Sequence, residues 1–250
     1  MKRAALAEYL DEFLRVREID DFSANGLQIE GRDEVESLAL AVDFSLQSAE
    51  KAGEAGADML IVHHGLIWGG LKSITGMVYR RVKLMIDAGI SLYCAHLPLD
   101  MHPLVGNNAQ LCDLLSLSRS GTFGSGKAPD LGMWGILGTP QERTSLKDFI
   151  DRTLMTESTL LPFGAPVVRS VAIVSGGGAS HFQEALEKKV DLFITGEPSH
   201  TIYHMAKEEG VNVLYGGHYA TETLGVRALG SHLSGKFPLR ITWLDVPTGL

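Results

Sequence analysis

The sequence DMLIVHHG at positions 58–65 decides the fold class of this 250-residue chain. Its apolar residues run without interruption for the length of a strand, which predicts a buried strand of an α/β fold. The sequence DLFITGE at positions 191–197 repeats the pattern, since an acid again precedes the apolar run and polar residues follow it. We therefore interpret the chain as two similar α/β lobes that arose by internal duplication.

A second pair of segments extends the repeat. SLYCAHLPLD at positions 91–100 and NVLYGGHYATE at positions 212–222 both continue an apolar run into a histidine that an acid follows four residues later. Segments of helical periodicity separate the apolar runs, so β-α-β units with mixed sheets flanked by helices are expected. We predict strands over residues 37–42, 58–62, 89–94, 131–137, 167–174, 190–195, 211–215 and 239–244, and helices over 4–15, 45–55, 76–88, 105–115, 144–154, 180–189, 198–209 and 217–229.

The sequence GTFGSGKAPD at positions 121–130 is the predicted linker, because small residues and proline resist packing into a core. We expect a first lobe over 1–125 and a second lobe over 126–216. The remaining residues, 217–250, are expected to form a helix and a strand that pack back on the first lobe and complete a metal site. Ligands of open α/β sheets collect beyond the carboxyl ends of the strands, so we expect that site in the cleft between the lobes.

The composition places the chain among ordinary globular proteins, with 45% hydrophobic and 21% charged residues. A formal net charge of -8 and scattered basic residues argue against a nucleic-acid partner. No apolar stretch approaches the roughly 20 residues of a membrane helix, so we expect no membrane partner and a cytoplasmic location. Cys94 and Cys112 lack the CxxC spacing and are predicted to be small buried hydrophobes.

Five residues at or after predicted strand ends carry the prediction of a dinuclear metal site. His63 and His64 are adjacent, and at a bend after a strand their imidazoles can diverge to serve two neighbouring ions. His218 and Glu222 stand four residues apart at the start of a predicted helix and share one face. Asp100, in the predicted loop after strand 89–94, is a plausible bridge between two cations. Mixed imidazole and carboxylate ligands suit Zn, Mn, Fe or Co, and the sequence leaves the identity of the metal open.

The charge balance of such a site favours catalysis. Two divalent ions held by two carboxylates and three neutral imidazoles retain two positive charges, enough to hold a hydroxide and an anionic substrate. Ions about 3.5–4 Å apart can clamp the attacking and leaving oxygens of a hydrolytic reaction. Glu197 is the candidate general base, or alternatively an acid that orients a ligand, and His96 is a candidate for orienting a ligand or for a purely structural role.

Other polar segments have simpler interpretations. Histidines outside the repeat are expected to be hydrogen-bonded surface or core residues; they are His181, His200, His204 and His232. The sequence SGGGAS at positions 175–180 could cradle a phosphate with backbone N–H groups. It lacks the established phosphate-loop patterns, so a plain tight turn is the favoured interpretation.

Taken together, these motifs resemble the Nif-three-like dinuclear metal-binding family, whose members are often labelled GTP cyclohydrolase 1 type 2 homologues. The likeness rests on HHG at 63–65, CAHLPLD at 94–100, DLFITGE at 191–197 and GHYATE at 217–222, and it runs from NGLQ at 25–28 to the C-terminal strand. The resemblance implies two metal ions held by the five predicted ligands. It also implies a toroidal homohexamer with sites facing an internal cavity, built from a short form without an inserted domain.

Two classes of function follow. One is a metal-dependent hydrolase that acts on a small anionic or nucleotide-like substrate, with a GTP cyclohydrolase-like activity among the expectations that the resemblance supplies. The alternative is a non-catalytic metal-binding scaffold or regulatory interaction protein. Competing metal folds are disfavoured because no HExxH or HxHxDH pattern occurs in the sequence.

Overall fold

The computed structural model describes residues 1–70, 73–125 and 129–250. Its helices are α1 (Arg3–Phe13), α2 (Leu46–Glu54), α3 (Gly76–Ala88), α4 (Leu97–Asp100), α5 (Asn107–Leu114), α6 (Arg143–Leu154), α7 (Phe182–Glu187), α8 (His200–Glu209) and α9 (His218–Lys236). Its strands are β1 (Gly26–Ile29), β2 (Ser37–Asp43), β3 (Met59–His64), β4 (Ser91–Cys94), β5 (Leu117–Phe123), β6 (Gly132–Glu142), β7 (Thr159–Leu161), β8 (Val167–Val174), β9 (Leu192–Thr195), β10 (Asn212–Tyr215) and β11 (Arg240–Trp243). The chain is therefore a mixed α/β protein, as predicted.

The described chain divides into two compact units. Unit 1 comprises Met1–Gly106 and Gly225–Val246, and unit 2 comprises Asn107–Leu224 and Pro247–Leu250. The boundaries were expected at 125/126 and 216/217. In the structure the first boundary, between Gly106 and Asn107, lies before β5, and the second, between Leu224 and Gly225, lies within α9. The predicted linker is wrong for residues 121–123, which belong to β5, and residues 126–128 lie outside the described part of the chain.

The sheet of unit 1 has the strand order β1-β4-β3-β2-β11 among the described residues. Strands β4, β3, β2 and β11 run parallel, and β1 is antiparallel to β4. Residues of one sheet face, such as Leu40 and Ile61, pack with Leu10 of α1, whereas Ala41 and Val62 pack on the opposite face. Both faces are covered, which explains why the central strands are apolar without alternation.

The sheet of unit 2 has the order β5-β6-β8-β9-β10-β7 among the described residues. Its parallel centre is formed by β8, β9 and β10. Strand β7 pairs antiparallel with β10, β6 pairs antiparallel with β8, and β5 pairs antiparallel with β6. Ile173 and Ile194 of the central strands pack in one cluster with Leu146 and Ile150 of α6.

The element order α1-β1-β2-α2-β3-α3-β4 of unit 1 recurs as α6-β7-β8-α7-β9-α8-β10 in unit 2. The pairing register recurs as well, since Leu38 faces Met59 in unit 1 and Val171 faces Leu192 in unit 2. The repeated part of unit 2 therefore begins at α6. The short antiparallel strands β1 and β7 were not predicted.

Several helix boundaries depart from the predicted ones. The predicted helix 180–189 is a 3-10 turn over Gly178–His181 that continues into α7, and the last helix extends beyond residue 229 to Lys236. Ser45 caps α2 as predicted, because its side chain accepts the backbone N–H of Ser48. In the described part of the chain, no helix is both long and apolar enough to cross a membrane.

Candidate metal centre

His63 and His64 are the last two residues of strand β3 in unit 1. The predicted bend before them is wrong, because the parallel ladder continues until Asp43 of β2 pairs with His64. Their ring centroids nevertheless lie 4.6 Å apart with an interplanar angle of 46°. His63 is fully buried and His64 is half-buried, so the strand end brings two imidazoles together at the edge of the core.

His96 joins these two imidazoles from the end of the neighbouring strand β4. Its ring centroid lies 5.0 Å from that of His63 and 5.6 Å from that of His64. Each of the three residues offers a ligand atom, and these atoms all lie within 4.8 Å of one another. Among the described residues of unit 1, this group can hold a metal ion.

The Nδ1 atom of every imidazole in this group contacts an oxygen acceptor. His63 contacts the carbonyl oxygen of Ala95 at 2.9 Å, and His64 contacts Oδ1 of Asp43 at 2.8 Å. Since a carbonyl oxygen only accepts, Nδ1 of His63 must donate, and a neutral ring then keeps its lone pair on Nε2. A histidine that ligates a metal is oriented in this way by a partner on its other nitrogen.

Nδ1 of His96 likewise contacts an oxygen acceptor, because it lies 3.0 Å from Oδ2 of Asp21. Burial raises the pKa of Asp21, but hydrogen bonds from His96 and Asn25 outweigh that effect and lower the pKa to about 2. Sequence reasoning missed both Asp21 and Asp43. Asp43 could have been found from the sequence, because it is an acid at the end of a predicted strand, as the predicted ligands are. Asp21 could not, because only its position shortly before the Asn25-Gly26 turn marks it in the sequence.

Asp100 is the last residue of the short helix α4 rather than part of a loop as predicted. Pro98, near the start of α4, has a backbone already suited to a helix, which explains the difference. The side chain of Asp100 is buried, and its Oδ2 lies 3.4 Å from Nε2 of His63. When His63 is neutral, both atoms carry lone pairs and repel each other. A proton or a metal cation between them would stabilise this short distance.

Unit 2 holds a second group at the start of α9. His218 and Glu222 are one turn apart, with Nε2 of His218 3.1 Å from Oε2 of Glu222, as their spacing predicted. On the other side of the ring, Nδ1 of His218 lies 2.6 Å from Oε1 of Glu197. Burial lowers the pKa of His218, but the carboxylates of Glu222 and Glu197 outweigh it and raise the pKa to about 9.

Glu197 thus contacts the imidazole nitrogen that points away from Glu222. Of the two roles that the sequence left open for Glu197, this contact favours orienting a ligand over general-base catalysis. Its side chain is 52% exposed, unlike that of Glu222, of which only 4% is exposed.

The Gly-rich segment 175–180 supports the Glu222 carboxylate. Gly176 has a φ of +58°, and a Cβ atom at this position would overlap Oε1 of Glu222. The backbone N–H of Gly176 donates to the hydroxyl of Thr221 at 3.0 Å, and its carbonyl oxygen accepts the backbone N–H of Glu197. The segment therefore forms a tight turn that leaves space for a carboxylate, in line with the favoured interpretation.

Two of the remaining histidines and both cysteines make ordinary contacts. His181 pairs with Glu184, and His232 bonds to the hydroxyl of Tyr9. Cys94 and Cys112 are buried, which raises the pKa of their thiols to about 11 and about 12. Such thiols stay protonated and suit the predicted role of small buried hydrophobes.

The sequence model of the family described as Duf34/NIF3 (NGG1p interacting factor 3) matches residues 1–247 of the chain. The chain belongs to the DUF34/NIF3 family. A relative from Pyrococcus horikoshii named GTP cyclohydrolase 1 type 2 homolog is 45% identical over 251 residues, which cover 100% of both chains.

Two solved structures share this DUF34/NIF3 fold over 100% of both chains. One is the protein ybgI, with a TM-score of 0.95 and 38% sequence identity. The other is TTHA1606 from Thermus thermophilus, with a TM-score of 0.90 and 40% identity. The family resemblance inferred from the sequence motifs is therefore confirmed.

Proposed function

We propose that this DUF34/NIF3 protein binds two divalent metal ions through five side chains of the two groups described above: His63, His64, Asp100, His218 and Glu222. The observation that carries the proposal is the orientation of the histidines. Nδ1 of His63, His64 and His218 faces an oxygen atom of Ala95, Asp43 and Glu197, respectively. His181 shares this arrangement through Glu184, but the proposed ligands also belong to groups whose ligand atoms lie within 4.8 Å of one another, which is what a metal ion requires.

The burial of the two carboxylates supports the same proposal. Asp100 is 5% exposed and Glu222 is 3% exposed. An ionised carboxylate that leaves water loses several kcal/mol of solvation unless a cation or hydrogen bonds replace it. Divalent cations would supply that compensation, and the imidazole and carboxylate set fits Zn, Mn, Fe or Co.

The proposed activity is metal-dependent hydrolysis of a small anionic, nucleotide-like substrate. Bound divalent ions would lower the pKa of a water molecule and polarise substrate oxygens. Among the protein's own groups, Glu197 orients His218, and Trp68 contributes an indole that is 37% exposed. The Trp68 ring lies 4.9 Å from His96, and its N–H donates to the carbonyl oxygen of Gly65, so a fixed aromatic surface is available for a planar ring. A GTP cyclohydrolase-like reaction is one member of this class.

The test is hydrolysis by protein loaded in turn with Zn²⁺, Mn²⁺, Fe²⁺ and Co²⁺. The substrates are nucleotides including GTP, phosphoesters and cyclic amides. We expect turnover of at least one of them, and a loss of about 100-fold or more in Asp100→Asn, which keeps the side-chain shape but removes its charge. Asp87→Asn, at an exposed position, serves as the control. Absence of turnover with every metal, or equal rates in Asp100→Asn and wild type, would reject the hydrolase.

A second candidate, a non-catalytic metal-binding protein that recruits a partner, is favoured by the family description, which names an interacting factor. On this account Asp100→Asn leaves the biological role intact in a complementation assay. Loss of the role in an Asp100→Asn protein that still folds and assembles would exclude the scaffold. Homohexamer assembly and a cytoplasmic location complete the proposal, and the location can be checked by cell fractionation.

A further inference from the structure

We propose that Asp21 and Asn25 form a clamp that presents Nε2 of His96 to a metal ion, which makes His96 a third imidazole ligand in unit 1. The inference deepens the proposed function and rests on it. It assigns metal ligation to a histidine for which the sequence suggested an orienting or a purely structural role, and it assigns a positioning role to Asp21 and Asn25.

Asp21 is built to hold one imidazole. Its side chain is 3% exposed, and its two oxygens lie 3.1 and 3.0 Å from Nδ1 of His96. The same carboxylate accepts the backbone N–H groups of Ser23 and Leu97, both at 3.1 Å. Because these bonds fix the carboxylate from both sides, the imidazole that it contacts is fixed as well.

Asn25 completes the clamp. Its Nδ2 donates to Oδ2 of Asp21 at 2.8 Å, and its Oδ1 accepts the backbone N–H of His96 at 2.7 Å. One asparagine therefore holds both the carboxylate and the main chain of the histidine. Such a double contact suits a side chain whose position must be kept within a fraction of an ångström.

The clamp determines which nitrogen of His96 is available. A carboxylate on Nδ1 stabilises the proton on that atom, so the lone pair of the neutral ring is on Nε2. The ring packs edge-to-face against Trp68 with an interplanar angle of 74° and lies beside His63. Its ligand atom belongs to the group formed with His63 and His64, which is the arrangement that a metal-ligating imidazole requires.

The decisive test is proton NMR of Co²⁺-loaded protein. A coordinated imidazole keeps its Nδ1–H, and paramagnetic Co²⁺ shifts the resonance of this exchangeable proton far outside the normal range. We expect one such resonance for each of His63, His64, His96 and His218 in the wild type, and one fewer in His96→Gln. An unchanged number of resonances in His96→Gln would overturn the inference.

The role of Asp21 is tested with Asp21→Asn, in which the side-chain shape is kept. We expect the resonance assigned to His96 to shift or disappear and the Co²⁺ affinity to fall about 10–100-fold. Asp58→Asn is the matched control, because Asp58 also accepts backbone N–H groups in unit 1 but contacts no imidazole through the bonds that hold it. A spectrum and affinity unchanged in a folded Asp21→Asn protein would contradict the positioning role.

The outcomes separate this inference from the proposed function. Wild-type protein that binds no Co²⁺ and shows no shifted resonance would reject the metal site itself. Shifted resonances that all survive in His96→Gln would reject only the assignment of His96. If Asp21→Asn fails to fold, His96→Gln still decides whether His96 is a ligand, and Asn25→Ala, expected to weaken Co²⁺ binding, tests the clamp.

Discussion

At the scale of single residues, the Glu222 carboxylate depends on the absence of a side chain at Gly176. The positive φ of Gly176 favours glycine, and a Cβ atom at this position would force the Glu222 carboxylate to move. The hydroxyl of Thr221, one residue before Glu222, accepts the Gly176 N–H and holds the turn against α9. Position 176 is therefore part of the proposed metal site although it offers no ligand atom.

We predict that Gly176→Ala lowers Zn²⁺ affinity about 10-fold or more, because the methyl group displaces the Glu222 carboxylate. The left-handed backbone adds a strain of about 1–2 kcal/mol. Titration calorimetry with Zn²⁺ measures the first effect and thermal unfolding the second. Gly138→Ala is the control, since a Cβ there meets no atom within 4 Å in the described structure. Wild-type affinity in Gly176→Ala would contradict this account of the turn.

The ligand types were predictable from the sequence, but the acids that orient them were not. A histidine followed by an acid four residues later is visible as a local pattern, as at His218 and Glu222. The contact between Asp21 and His96 joins residues 75 positions apart, and no local pattern reports it. Contacts of this kind depend on tertiary packing, which one sequence does not reveal.

At the scale of elements, each unit joins two neighbouring parallel strands through one aspartate that accepts two backbone N–H groups, an arrangement that we call the polar bracket. Asp58 accepts the backbone N–H groups of Glu36 and Ser37, both at 3.0 Å. Asp191 accepts those of Arg169 and Ser170 at 2.8 and 3.0 Å. This bracket joins the start of β2 to the residue before β3 in unit 1, and the third and fourth residues of β8 to the residue before β9 in unit 2.

We predict that Asp58→Asn lowers the free energy of unfolding by about 1–3 kcal/mol at neutral pH. Burial raises the pKa of Asp58, but the N–H groups of Glu36 and Ser37 outweigh it and hold the pKa below its usual value. The charged form is therefore the one that stabilises the fold. Its contribution is complete above the unfolded-state pKa of about 3.9 and is lost as the pH falls through the lower folded-state pKa.

The measurement is thermal unfolding of wild type and Asp58→Asn at neutral pH and below about pH 4. The difference between the two proteins should shrink at the acid end. Asp87→Asn is the control, because Asp87 forms an exposed ion pair with Lys83 that contributes less than about 1 kcal/mol. A difference that grows toward low pH would show that the bracket acts through another interaction.

The long buried elements were predictable, and the short or edge elements were not. Strands such as β2 carry an unbroken apolar run, over residues 38–42, that is buried throughout. The edge strands β1 and β7 have only four and three residues, and tertiary pairing rather than their own periodicity fixes them. The end of β3 was misjudged for a related reason, because pairing with Asp43 extends the strand over two polar residues.

At the scale of the whole molecule, the family resemblance predicts assembly into a homohexamer. We expect light scattering after size exclusion to give six times the 27.1 kDa of one chain. A mass equal to a single chain at micromolar concentration would reject the hexamer.

The central claim is that the chain binds two divalent ions, and the most direct test is metal content by plasma mass spectrometry. The protein is purified without an affinity tag, alongside His64→Ala and Glu222→Ala, which remove one proposed ligand from each unit. The account predicts about two ions per chain in the wild type and a clear loss in both variants. Wild-type protein without stoichiometric metal, or a metal content that neither variant changes, would contradict it.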